Sequence, residues 1–220
     1  MHRTFTRCTI AAAALACGGV AQATLLDRGN GMLYDTVLNI TWLQDAGANE
    51  GAQRDWYASA DWASQLVYGG YDDWRLASVN RAYDFDNPPG PAVDCASATA
   101  QQCAAGRNEL GFMYYFNLGA APDTIVLGDR LVDGVTVKNI QGVYWGNQTY
   151  PGEYSFLFGF AGGPYGAGHQ GIALGGLETA AAWAVRDGDV AAAVPEPSTW
   201  ALMGLGLAAL MLRDRKRRFA

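Results

Sequence analysis

Lysine is nearly missing from this chain. It occurs only at positions 138 and 216 of 220, histidine only at 2 and 169, and cysteine four times. No unbroken apolar run reaches the roughly 18 to 20 residues that cross a bilayer comfortably. Each shortage excludes a class. Residues 24–193 hold 19 Asp and Glu against 8 Arg and Lys, a net of −11 where the full chain has −6. Such a surface repels nucleic acid and sulfated polyanions and favours solubility and cations. A single His beyond residue 23 leaves no His/Cys zinc set. No Gly-x-Ser-x-Gly elbow presents a serine to His169, so that His reads as a surface-loop residue. No Gly-x-Gly-x-x-Gly joins a strand to a helix and no Gly-Lys-Ser/Thr occurs, so no nucleotide site is expected. Nothing in the acid spacing selects a glycosidase pair, and the chain has no internal repeat. A non-catalytic protein is expected.

What is present begins with an export leader. Arg3 and Arg7 precede the apolar stretch Cys8–Val20, and Ala21-Gln22-Ala23 follows. This predicts a signal peptide over 1–23, cleaved after Ala23. Leu15-Ala16-Cys17-Gly18 approximates a lipobox, with Ala14 where a large aliphatic residue is preferred. Residues 24–193 are then one domain, long enough for a sizeable core. Cys95 and Cys103, eight apart in a Pro/Gly/Ala-rich segment, are expected to close a disulfide loop in an oxidising compartment.

The other end, 194–220, has three parts in order: Pro195-Glu196-Pro197, the 13-residue apolar segment Trp200–Leu212, and the cluster Arg213-Asp214-Arg215-Lys216-Arg217-Arg218. The apolar segment is a marginal transmembrane span that snorkelling arginines extend. The basic end stays cytoplasmic, with the body across the membrane. This tail resembles the PEP-CTERM sorting signal of Gram-negative bacteria that make exopolysaccharide. The resemblance implies recognition at Pro195-Glu196-Pro197 by a membrane exosortase, removal of the tail, and delivery to the envelope or extracellular matrix.

Along the body, Leu25–Asp35 reads as a hairpin turning at Gly29-Asn30-Gly31, and Thr36–Leu43 continues in strand formers. Asp55 caps a predicted helix running to Tyr68, with Trp56, Ala60, Ala63 and Val67 on one face and Gly69-Gly70 as the stop. Tyr71–Leu76 returns as a short strand, and 84–106 reads as an irregular insertion. Asn108 caps a second helix, Glu109–Asn117, ending at Gly119. Strands are expected at 124–127, 135–137, 142–145, 154–160 and 181–186, with 161–176 a mobile Gly-rich loop carrying His169. The predicted fold class is α+β, two helices and a small, mainly antiparallel sheet.

Gly31-x-x-Tyr34-Asp35, Thr41-Trp42-Leu43, Gly69-Gly70-Tyr71-Asp72-Asp73-Trp74-Arg75-Leu76, Asn108-Glu109-Leu110-Gly111, Tyr144-Trp145 and Ala182-Trp183-Ala184-Val185-Arg186 together resemble the Lcl C-terminal domain family. The resemblance implies a compact fold similar to C-type lectins, and adhesion to glycosaminoglycans in one member. Ala77 departs from the Pro usual after Trp-Arg-Leu, and the Cys-containing loop resembles an insertion. The acidic body is a poor partner for sulfated glycan, so a neutral polysaccharide, or an acidic one bridged by calcium, is expected.

Asp84, Asp86, Asn87 and Asp94 offer the oxygen ligands Ca²⁺ prefers, without EF-hand spacing. They read either as a calcium site or as a solvated acidic loop. Tyr150 and Tyr165, beside Pro151 and Pro164, are candidate sugar-stacking residues, whereas Trp145 reads as core. Asp72, Asp73 and Arg75 form a ligand edge or, with Trp74 and Leu76 in the core, Arg75 neutralises a partly buried carboxylate. The expected protein is an exported, exosortase-sorted envelope or matrix protein that binds exopolysaccharide without catalysis. The alternative is a structural biofilm protein without glycan selectivity.

Overall fold

A computed structural model describes residues 24–49, 54–79, 94–150, 152–161 and 166–190. Among these, ten strands form three small antiparallel sheets. The first has the order β1-β2-β3-β10-β4, from β1 (Leu25–Gly29), β2 (Met32–Asp35), β3 (Ile40–Leu43), β10 (Ala184–Asp187) and β4 (Arg75–Leu76). The second pairs β5 (Gly128–Val132) with β6 (Val135–Ile140), and the third runs β7 (Val143–Tyr150), β8 (Tyr154–Gly159), β9 (Gln170–Leu174). Helices are short: α1 (Trp56–Ser64), α2 (Ala100–Ala105) and α3 (Glu109–Phe112), the last running on into a π-helical turn, Met113–Asn117. The protein is thus mostly β, which corrects the balance expected from two helices and one small sheet.

Local chemistry explains where the elements differ from expectation. Thr36–Leu43 is not one strand, because the Asp35 carboxylate accepts from Val37 N and Leu38 N at 3.0 and 2.9 Å and Asn39 takes a left-handed φ of 53°. That turn delays β3 to Ile40. Asp55 does cap α1, accepting from Ala58 N at 2.8 Å, but the helix ends at Ser64 and leaves Val67 73% exposed. Of the predicted 71–76 strand, only Arg75–Leu76 joins a sheet, while Tyr71 makes an isolated bridge with Tyr68. The supposed insertion contains α2, whose Thr99 and Gln102 form a reciprocal capping box. Residues 124–127 are not a strand; the ladder starts at Gly128. The Gly-rich 161–176 stretch is no mobile loop throughout, since Gln170–Leu174 is β9, in register with Tyr154–Phe158 of β8.

The core lies between the five-stranded sheet, the π-helical turn and the inner face of β7-β8-β9. Trp42, Trp183, Tyr144 and Trp145 are fully buried there. The Trp183 ring sits 4.8 Å from Trp42 and 5.3 Å from Tyr144, and its Nε1–H donates to Leu43 O at 2.8 Å. Trp145 faces the opposite side of its strand, packs beneath α1 and donates to Arg54 O. Trp183 and Trp145 thus satisfy their polar edges while burying their rings, whereas the Trp42 Nε1–H is buried without a hydrogen-bond partner among the described residues. Among the described residues no helix is long and apolar enough to cross a membrane; the segment 200–212 lies outside them.

The disulfide Cys95–Cys103 staples α2 to the preceding turn, and both cysteines pack on the buried Phe112. Reduction, or Cys103→Ser, is expected to destabilise the domain by about 2 to 3 kcal/mol, read as a lower thermal midpoint that Cys103→Ser does not share further on adding reductant.

Candidate functional site: a polar cleft beside Arg75

Arg75 on β4 and Glu109 at the start of α3 meet as a two-pronged pair, with Nη1 to Oε2 and Nη2 to Oε1 both 2.8 Å. The Glu109 side chain is only 6% exposed, and its Oε2 also accepts from Ser78 N at 2.7 Å. Arg75 Nη2 reaches a second carboxylate, Asp187, at 2.6 Å. Burial would lower the guanidinium pKa, but hydrogen bonds and charge from Glu109 and then Asp187 outweigh it and hold Arg75 well above its usual value. Local sequence positions Glu109: Asn108 Oδ1 caps α3 by accepting from Gly111 N, and a Cβ at Gly111 would lie 2.8 Å from that amide. The Asn-Glu-Leu-Gly motif is therefore a cap that needs glycine at its fourth position.

Next to this pair opens a cleft of about 250 Å³. Its walls are the 37–40 turn, Ala104 and Arg107 from the α2–α3 corner, Glu109, and Asp187 at the end of β10. Asn39 and Arg107 both hold left-handed backbones, φ 53° and 52°. For Arg this costs about 1 to 2 kcal/mol, while Asn tolerates it. Asn39 Oδ1 accepts from the Tyr34 hydroxyl at 2.9 Å. Arg107 forms no hydrogen bond or ion pair through its guanidinium with any described residue, although its carbonyl accepts from the Ser78 hydroxyl. Below the turn lies Asp35, fully buried, whose carboxyl pKa burial pushes up against hydrogen bonds from Leu38 N, Asn117 and Val37 N.

Among the described residues, none of the candidate site residues singled out from sequence lines this cleft. Asp84, Asp86 and Asn87 lie outside the described residues, as does Tyr165. Asp94 is described, and its Oδ1 accepts from Ala96 N at 3.0 Å in a local turn. Among the described residues no three His, Cys, Asp or Glu side chains gather as a metal set. Tyr150 closes β7 in register with Tyr154. His169 stands 3.3 Å from Asp123 on an exposed loop. Trp74 and Leu76 are buried, and Arg75 neutralises Glu109. Asp73 instead pairs with Arg186 at 2.7 Å. Asn39, Arg107 and Asp187 carried no motif in the chain; the capping box at Thr99 followed by Gly106 was the one signal that marked Arg107 as a helix-end residue.

Residues 193–217 match the family model of the PEP-CTERM protein-sorting motif. The motif implies processing by an exosortase, export and sorting to the cell surface. Its Pro195, Glu196 and Pro197, and the leader site after Ala23, lie outside the described residues. No curated protein and no solved structure matches the chain.

Arg75→Leu should cost about 3 to 5 kcal/mol, because it strands the buried Glu109 carboxylate, and a denaturant titration reads this directly. Asp35→Asn should be tolerated, since Asn keeps the acceptor for Val37 N and Leu38 N and its amide can donate to the unpartnered Asn117 Oδ1 once Asn117 turns over. Asp35→Ala should cost about 1 to 3 kcal/mol for stranded donors. A raised folded-state carboxyl pKa contributes stability below the ordinary carboxylate range and loses it as pH rises through the higher folded value. Melting curves should therefore shift in favour of Asp35→Asn over the parent as pH rises through that window; a constant difference would contradict the raised pKa.

Proposed function

We propose that this is an exosortase-sorted, exported surface protein of a Gram-negative envelope or extracellular matrix, whose body binds polysaccharide without catalysis. The sorting motif at 193–217 supports the destination. The observation that carries the binding reading is the half-open polar cleft beside Arg75, with Arg107 and Asn39 on its rim. Its chemistry fits binding better than hydrolysis, because both carboxylates in its wall, Glu109 and Asp187, are held on one guanidinium. Retaining or inverting hydrolysis needs one carboxyl free to donate a proton and a second free to attack or activate water. The lectin-like fold of the Lcl C-terminal resemblance is consistent with an adhesive role. The acidic body, with Arg28, Arg75 and Arg186 all engaged by carboxylates, argues for a neutral polysaccharide, or an acidic one carried by calcium at Asp84, Asp86, Asn87 and Asp94.

A structural matrix role is the second reading, favoured by β5. That strand pairs only with β6 among the described residues and exposes Leu131 at 75%, an edge open to another chain.

The purified protein should bind selectively on an array of neutral and acidic polysaccharides, including exopolysaccharide of the producing cells, run with calcium and with EDTA. Loss in EDTA would assign the acidic loop. Absence of binding in both buffers, with self-association on sizing, would replace the binding reading by the structural one.

A further inference from the structure

The polar groups that rim the cleft point to one kind of occupant. Arg107 supplies donors without a carboxylate partner among the described residues, in a body with more than twice as many acids as bases. Asn39 has committed its Oδ1 to Tyr34, which leaves its amide N–H groups. Asp187, 72% exposed on its side chain, uses Oδ1 for Arg75 and presents a second oxygen as acceptor. The apolar wall comes from Val37, Leu38 and Ala104.

Donors on two sides, an acceptor on a third and an aliphatic wall match a ring of hydroxyls, each of which both donates and accepts. A phosphate or sulfate would meet Arg107 alone, beside Asp187 and Glu109. A metal ion would meet carboxylates already held by Arg75. A volume of about 250 Å³ is below the usual range for drug-sized ligands and holds one ring rather than a chain passing through. We infer that the cleft between the 37–40 turn, Arg107 and Asp187 is a subsite for a single neutral sugar ring, the end of a glycan, with Arg107 and Asn39 as its hydrogen-bond donors. This rests on the polysaccharide-binding reading and gives it a place and a ligand class.

The left-handed backbones at both positions supply clean variants. Glycine adopts that conformation without strain, so Arg107→Gly and Asn39→Gly remove the donors and keep the turn. The Ser78 hydrogen bond survives in Arg107→Gly because it reaches the carbonyl. The full chain, purified in detergent, is titrated with glucose, galactose, mannose, N-acetylglucosamine, glucuronic acid and galacturonic acid by saturation-transfer NMR. At least one neutral sugar should saturate, and each variant should weaken it about tenfold or more, with near-ultraviolet circular dichroism unchanged and Arg130→Gly on β5 binding as the parent does. Neutral sugar binding equal in parent, Arg107→Gly and Asn39→Gly would overturn the subsite, as would a preference for the uronic acids. If the parent binds array polysaccharides while these variants bind equally well, only the subsite fails; if the parent binds no glycan in either assay, the polysaccharide reading fails with it.

Discussion

The buried pair of Arg75 and Glu109 is the constraint on which the arrangement around the cleft depends. It joins the edge of the five-stranded sheet to the first turn of α3, two elements that sequence separates by 34 positions. Neither charge is tolerable alone at that depth. Together, with Ser78 N also donating to Glu109 Oε2, they neutralise one another and fix the distance between sheet and helix. Leu110 N donating to Ser78 O, and the Ser78 hydroxyl donating to Arg107 O, extend the same junction to the corner that presents Arg107.

From Arg75 the electrostatics run to the end of the body. Residues 186–189 contribute a partner to each of three ion pairs: Asp187 with Arg75, Arg186 with Asp73, and Asp189 with Arg28. Arg186 also lies 4.1 Å over the Tyr71 ring, and Arg28 lies 5.1 Å from the Tyr34 ring. Surface pairs are individually weak, but these converge on the strand that completes the sheet, inserted between β3 and β4. Val190 is still buried, and the sorting motif begins at 193. The body thus closes its sheet with nearly its last residues before the address. These three arginines engage four carboxylates, so the pairing leaves the acid excess of the body essentially unchanged.

Some of this was readable in the chain. Gly29-Asn30-Gly31 marked the first hairpin, Asp55 and Asn108 marked helix starts, and the strand formers of Tyr154–Phe160 marked β8, because caps, turns and residue preferences are local. Errors arose where local chemistry competes. Strand formers at 36–39 yielded to the Asp35 turn, and residues 170–174, inside the Gly-rich segment 161–176, became β9 because β8 supplies the ladder they pair with. The capping box at Thr99 was legible but was obscured by the prolines and Cys95 before it. The cleft was not legible at all, since Asn39, Arg107 and Asp187 sit on three segments.

The order of residues was enough to settle the address, the acid excess and the core placement of Trp74 and Trp145, because each depends on composition or on neighbours within a few positions. Burial and pairing decided the rest. Arg75 could have been a ligand edge or a core counter-ion until α3 placed Glu109 against it. Arg107 is left without a carboxylate partner among the described residues because folding gave Glu109 and Asp187, the carboxylates of the same cleft, to Arg75. Contacts across 34 and 112 residues set those outcomes, and no local pattern specifies which of many acids a given arginine will meet.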